Sequence, residues 1–451
     1  MLCAFFTGAA EKPDIVFILA DDQGSYDVGW RGSEIKTPNL DKLAKAGTLL
    51  ENFYVQPVCS PTRASLMTGR YPMRYGLQVG VVRPWAKYGL PLEEQTLPEG
   101  LRTAGYTTYI CGKWHLGSFQ TNYWPIARGF DHWYGHLQGA LDYFTHIRDG
   151  QLDWFRDGVT NHDAGYSTHL VGQEAAKIIH DQSKDKPMFL YVPFNAVHAP
   201  LEVPDSYKEP YHQFKGRRRT YAGMVAALDE MVGKIVAAID DTHRRTNTLF
   251  IFASDNGGPN PGQITSNGPL RAGKGTVYEG GVHTCAFAAW EGHIKPGSTV
   301  PGLIHMVDWY PTLLKLTGAT VTQKAPLDGL DFMSALTDGK PTQRHEVLCN
   351  TSPKNGALRM DDWKIVINGD HSDTDEEGPA AGAGGKNKKK NKTAGPGEVV
   401  ELFNLATDPG EKKNLAAENP DKLKELRTRY DVLAKEAVKP KVSGPPPPGV
   451  N

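Results

Sequence analysis

The sequence predicts an α/β chain in which a large sheet is sandwiched by helices and followed by a smaller C-terminal α+β subdomain, a short antiparallel sheet plus a helix. Three observations carry this prediction. Four apolar runs at residues 15–20, 106–111, 188–194 and 249–254 show no polar alternation, so they read as strands buried on both faces. Each run ends in a polar cluster, and in such sheets the ligand site lies outside the carboxyl ends of the strands. At 451 residues the chain can bury one large core with a smaller partner.

Taken in order, residues 1–12 open with an apolar stretch closing on Thr7-Gly8-Ala9-Ala10, which reads as the tail of a secretory signal. The first strand runs into Asp21-Asp22. Next comes Cys59-Ser60-Pro61-Thr62-Arg63. Pro61 suits the first turn of a helix, and Thr62 to Thr68 continue it. Residue 59 then sits where free backbone N–H groups favour an anion, with Arg63 one turn on and on the same face. A phosphatase-type Cys-x5-Arg loop is excluded, because the sixth residue after Cys59 is Ser65.

The second run leads to Lys113-Trp114-His115, whose alternation by two puts Lys113 and His115 on one face of an extended segment. The third leads to Asn195-Ala196-Val197-His198, and the fourth to Asp255-Asn256-Gly257-Gly258. A glycine-rich loop, residues 268–275, carries Lys274 and lets backbone approach a ligand. The large domain is expected over 13–343 and the C-terminal subdomain over 344–440, with strands at 357–360 and 363–367 and a closing helix at 420–437. Residues 370–397 hold an acidic cluster, then glycine and alanine, then five lysines between 386 and 392. That composition predicts a mobile loop, or a basic finger for sulfated polymers. Residues 441–451, with four consecutive prolines, read as a tail.

Asp21, Asp22, Asp255 and Asn256 form an all-oxygen set suited to a hard divalent cation, with calcium preferred over magnesium for its tolerance of irregular geometry. Lys113, His115, His198 and Lys274 are the candidate cationic or proton-transferring groups. The stretch from Cys59 to Arg70, with Arg128-Gly129-Phe130-Asp131, Asn195 to Leu201, Tyr278-Glu279-Gly280-Gly281-Val282 and Asp308 to Leu313, resembles the type I, formylglycine-dependent sulfatases over about residues 13–435. Within that family it is most similar to the arylsulfatase B, or N-acetylgalactosamine-4-sulfatase, branch.

The resemblance implies an alkaline-phosphatase-like fold whose large sheet is mixed. It also implies that Cys59 is oxidised to formylglycine by a formylglycine-generating enzyme, the hydrated aldehyde being the nucleophile. One calcium ion would be bound by Asp21, Asp22, residue 59, Asp255 and Asn256. Arg63 and His115 would hold and deprotonate the diol, while Lys113, His198 and Lys274 would bind the sulfate, with His198 or Lys274 as acid for the leaving group. The implied substrate is a sulfated sugar or polysaccharide of 4-sulfated N-acetylgalactosamine or galactan type. The competing readings are a phosphoester or phosphonate hydrolase of the same superfamily and a non-catalytic glycan binder with residue 59 unmodified.

A net charge of −1 gives no global attraction to nucleic acid, and no segment approaches a membrane span. The five cysteines are too few and too scattered for a disulfide framework. Together with the leader-like start, this points to a periplasmic or secreted enzyme of bacterial origin. Trp124, Arg128, His136, Asp142 and Tyr143, which follow the Lys113 to His115 motif, are the candidates for a sugar subsite.

Overall fold

The computed structural model describes residues 12–352, 354–369 and 398–444. The leader-like start, the whole of the 370–397 segment and the proline run lie outside them. Ten strands form the main sheet, in the spatial order Ser298–His305, Thr48–Tyr54, Ala286–Ala289, Thr248–Ser254, Asp14–Ala20, Met188–Pro193, Thr107–Lys113, His132–His136, Phe155–Arg156 and Val159–Thr160. Asp14–Ala20 is parallel to both of its neighbours, whereas Ala286–Ala289 is antiparallel to both of its own, so the sheet is mixed.

Every residue of Asp14–Ala20, Met188–Pro193 and Thr248–Ser254 is buried. The absence of alternation follows from two cores. Ile15, Phe17 and Leu19 pack on one face with Leu66, Leu101 and Leu313 from the helices Cys59–Thr68, Leu97–Thr103 and Trp309–Thr317. Val16, Ile18 and Ala20 pack on the other with Leu43, Val171 and Leu228 from Pro38–Ala46, Ser167–Asp181 and Gly216–Asp241. Register sets the site. Ala20 lies opposite Ser254, so Asp21 and Asp255 leave the sheet side by side. The Asp21 N–H donates to Ala196 O at 3.0 Å, bringing the His198 loop alongside.

The C-terminal sheet is four antiparallel strands, Glu346–Ser352, Asn355–Met360, Trp363–Ile367 and Val400–Asn404, packed on the helix Pro420–Ala434. Leu358, Ile365 and Leu402 meet Leu426, Tyr430 and Leu433 there. A buried charge cluster ties this sheet to the main one. Lys364 Nζ lies 2.8 Å from Glu279 and 2.9 Å from Glu411, all three almost fully buried, and Glu279 also accepts from Tyr54 Oη at 2.7 Å. Burial, and after it Glu279, pushes Glu411 up to about 7 against the pull of Lys364.

Removing the ammonium by Lys364→Met leaves two facing carboxylates, which usually costs about 3–5 kcal/mol. Here Glu411 is poised to take up a proton, so a smaller loss of about 2 kcal/mol is expected. A denaturant titration checks it: the midpoint falls with unchanged m-value, and an unmoved midpoint contradicts the ion-pair account.

Candidate functional site

The helix Cys59–Thr68 starts at Cys59, with Pro61 in its first turn and no residue exposed. It ends at Gly69, whose φ of 67° is left-handed and whose added Cβ would strike the Tyr310 ring at 2.8 Å, so glycine is required there. Arg63, one turn after Cys59, has no exposed side-chain surface. It donates to Asp255 Oδ2 from Nη2 at 2.8 Å and Nε at 3.2 Å, and to Lys113 O at 3.1 Å. Asp21 Oδ2 is 3.5 Å away. The guanidinium therefore faces the carboxylates that leave the two central strands.

Lys113 Nζ bonds Asp21 Oδ2, and Lys274 Nζ bonds Asp22 at 2.9 Å. Asn256 Nδ2 donates to Asp22 Oδ1 at 2.7 Å, and His198 Nε2 lies 3.6 Å from Asp22 Oδ2. Cys59 Sγ is 3.4 Å from Asp21 Oδ1. Nine of the sequence-predicted residues are thus tied into one buried contact network. His115, the tenth, enters through Ser60, whose Oγ donates to its carbonyl at 2.8 Å. The extended-segment argument for Lys113 and His115 fails in detail: the strand ends at Lys113, and His115 has φ 58°. Asp22, at φ 62°, is also left-handed. Such backbone in non-glycine residues costs energy and concentrates at functional sites.

Charge explains the protonation states. Burial pushes the Cys59 thiol well above its ordinary range, and Asp21 and Asp255 push it further; it is held as a neutral thiol, the opposite of a reactive thiolate. Burial would raise Asp22, but Lys274 and His198 overrule it and lower it to about 2. Burial opposes the Lys274 charge, yet Asp22 holds that amine well above its usual value. Burial, then Lys113 and Arg63, holds His115 well below the normal histidine range. Burial and Lys274 lower His198 to about 4.

The residues present could hold a metal ion. Asp21, Asp22, Cys59 and His198 each offer a ligand atom, all within 4.8 Å of one another. The carbonyl oxygen of Asn256, bonded through its amide nitrogen to Asp22, is buried with no hydrogen-bond partner, which is the state of an acceptor reserved for a ligand. This compact set includes His198, which the sequence reading placed on the sulfate. It omits Asp255, whose carboxylate is turned onto Arg63 and the Asp22 N–H.

The proposed sugar-subsite residues separate. Arg128 is buried, with its guanidinium on Leu90 O and Glu94 O, both at 2.8 Å. Tyr143 is buried, and its hydroxyl bonds Asn195 O at 2.7 Å and His198 O at 2.8 Å, bracing the His198 loop. Asp142 accepts from the N–H groups of Phe144 and Thr145 in a turn. His136 is fully buried beside Lys113, Arg63 and Trp154. Trp124 lines an adjoining groove. Sequence reasoning passed over Ser60, which bonds His115 O and the Val82 N–H; its place inside the Cys-x-Pro-x-Arg pattern was the available signal.

The four described cysteines are free and buried, and among the described residues no helix is long and apolar enough to cross a membrane. The family model "Sulfatase" matches residues 13–319. Arylsulfatase J of Mus musculus is 37% identical, covering 96% of this chain and 77% of its own. Human N-acetylgalactosamine-6-sulfatase is 35% identical over 75% of this chain and 68% of its own. The structure of Ps i-CgsB in complex with k-i-k-neocarrahexaose superposes with a TM-score of 0.83 at 31% identity, covering 95% of this chain and 94% of that one. The arylsulfatase resemblance is therefore broader than one branch, and the chain belongs to the sulfatase family, sulfuric ester hydrolases built on this alkaline-phosphatase-like fold.

Proposed function

We propose that this enzyme hydrolyses a sulfate ester on a sugar or glycan, of 4-sulfated N-acetylgalactosamine or galactan type, with residue 59 oxidised to formylglycine by a formylglycine-generating enzyme and one calcium ion bound beside it. The observation that carries the proposal is a fully buried Cys59 at a helix start, 3.4 Å from Asp21 and grouped with Asp22 and His198, with Arg63, Lys113 and Lys274 paired to those carboxylates. A thiol so placed is a poor nucleophile but a well-positioned precursor. Formylglycine, as its hydrate, supplies two hydroxyls on one carbon, one to attack sulfur and one to release sulfate. Calcium, held by Asp21, Asp22, residue 59 and Asn256 with Asp255 or His198, supplies charge that offsets the sulfate oxygens.

The chain's own side chains do the rest. Arg63 is an always-charged fork fixed by Asp255, so it holds an oxygen on residue 59 in register. His115 is kept neutral at physiological pH and so can accept a proton from that residue. Lys113 and Lys274 bring fixed positive charge to the sulfate. His198 donates from Nδ1 to Ala199 O, so its neutral tautomer presents a bare Nε2 to the site with no proton to give; of the two candidates, Lys274 is the one able to protonate the departing oxygen. The three carboxylates Asp21, Asp22 and Asp255 balance the cations Arg63, Lys113 and Lys274, so a bound divalent cation leaves the centre positive and able to accept an anionic ester. We place the enzyme in the periplasm or outside the cell from its leader-like first residues, and in a bacterium from its few, scattered cysteines.

Mass spectrometry of the tryptic peptide 46–63, from protein produced with the formylglycine-generating enzyme, tests the nucleophile, and sulfate release from aryl and sugar sulfates tests the reaction. Conversion with turnover supports the proposal. Conversion with phosphoester but no sulfate-ester hydrolysis moves it to the phosphohydrolase reading, and a wholly unmodified thiol moves it to glycan binding. For the metal, stripping with a calcium-selective chelator is expected to lower activity at least tenfold, and returning calcium at about 100 times its dissociation constant to stabilise the fold by about 2.7 kcal/mol. A thermal midpoint indifferent to calcium would argue against the ion.

A further inference from the structure

Beside the Cys59 centre lies a groove of about 380 Å³, within the size range of small-ligand sites. Its walls hang on the catalytic residues themselves. The loop carrying Trp85 is pinned where the Val82 N–H donates to Ser60 Oγ at 3.0 Å, next to Cys59. The segment carrying Phe119 follows His115 directly, and the His115 N–H donates at 3.0 Å to the carbonyl of Leu137, a lining residue. The groove is thus walled by loops hydrogen-bonded to Ser60 and His115.

The groove offers aromatic faces. Phe119 is 50% exposed. Trp124 and Trp85 have their indole N–H groups engaged, on Ser118 O at 3.0 Å and Gly444 O at 2.7 Å, and Trp124 also packs on Trp133 and Phe155, so both rings are held as fixed walls of the groove and Phe119 is the ring with the most open surface. Gln138 and Gln151 add amide groups, neutral donors and acceptors suited to hydroxyls.

Its charge is the discriminating feature. The groove is lined by one guanidinium, Arg148, and two carboxylates, Asp149 and Asp153. Arg148 is already paired with Asp149 at 3.2 Å. Arg83, which lies over the Trp85 ring at 5.9 Å, is buried. Among the described residues the groove holds no surplus of cations with which to bind an anion. We infer that this groove binds an uncharged sugar adjoining the sulfated one, so that the substrate is an oligosaccharide of neutral-galactan type and not a glycosaminoglycan, whose neighbouring uronate carries a carboxylate. The inference rests on the sulfatase reading above and narrows its substrate.

Three 4-sulfated tetrasaccharides test it: a κ-type neocarratetraose with neutral neighbouring sugars, an ι-type one with sulfated neighbours, and a chondroitin 4-sulfate tetrasaccharide with uronate neighbours. Binding is measured by calorimetry on the Cys59→Ala protein, which cannot turn over. The neutral-neighbour sugar is expected to bind at least about tenfold more tightly than either other, the effect of one unfavourable charge contact at a partly exposed site. On the mature enzyme, Phe119→Ala is expected to lower the ratio of kcat/KM for that tetrasaccharide to kcat/KM for an aryl sulfate about tenfold, at an unchanged thermal midpoint. Equal or tighter binding of the sulfated or uronate sugar, no binding of any of the three, or an unmoved ratio overturns the inference. If the mature enzyme releases no sulfate even from an aryl ester, the sulfatase reading falls, while the binding order still judges the groove.

Discussion

Cys59→Ser is expected to turn a catalyst into a reagent consumed once. A serine hydroxyl at residue 59 keeps the helix-start position, and on the proposed roles Arg63 would orient it and the neutral His115 would take its proton. It can therefore accept one sulfuryl group, but it has no second hydroxyl on the same carbon with which to expel it. Intact-mass analysis should show one added SO3 per chain and no steady-state release of sulfate, with kcat at least about 10⁴-fold below the mature enzyme, as for loss of an essential nucleophile. Cys59→Ala should show neither adduct nor turnover. Sustained turnover by the serine protein, isolated from a host that cannot oxidise serine, would remove residue 59 from the reaction.

Arg63→Met is expected to carry the largest stability cost among single substitutions at the site. The side chain has no solvent exposure and donates twice to Asp255 while lying 3.5 Å from Asp21. Burial disfavours its charge, yet Asp255 foremost holds the guanidinium firmly protonated. Removing it leaves Asp255 buried with the Asp22 N–H as its one hydrogen-bond donor among the described residues. Breaking a buried pair from one side costs about 3–5 kcal/mol, of which methionine's volume returns little because a carboxylate remains. Equilibrium denaturation should show that loss. Arg63→Lys, which restores the charge without the fork, should recover much of the stability but little of the kcat. Full recovery of kcat by lysine would reduce Arg63 to a counter-ion.

How far the sequence carried this picture follows from which residues have a period to read. The runs at 15–20, 106–111, 188–194 and 249–254 became strands within two residues of those limits, because burial on both faces leaves uninterrupted apolar stretches. The strands Thr48–Tyr54 and Ser298–His305 were not anticipated. They lie at one end of the sheet, mix exposed with buried positions, and in the second the register slips between Val300 and Leu303. Val400–Asn404 is short and follows a stretch whose composition predicts no order.

The centre was legible since its residues sit immediately after strands, where topology alone gathers them. The groove was not, as Trp85 and Phe119 belong to loops with no periodicity. Arg128 shows the opposite error: a cation in a plausible segment is spent on two backbone carbonyls, a use that residue type alone does not reveal.

The ten-residue helix that begins at Cys59 has no position open to water, and its first residue has no accessible surface at all. If residue 59 is oxidised as proposed, the modifying enzyme must reach a thiol that the finished fold closes off. Under that proposal, maturation is a race against collapse of the chain. The fraction of active molecules is set by how long residues 59–70 stay unfolded after synthesis, so slower folding or export would raise the yield of competent enzyme, while the same exposure would lengthen the interval in which the sheet's apolar strands can aggregate.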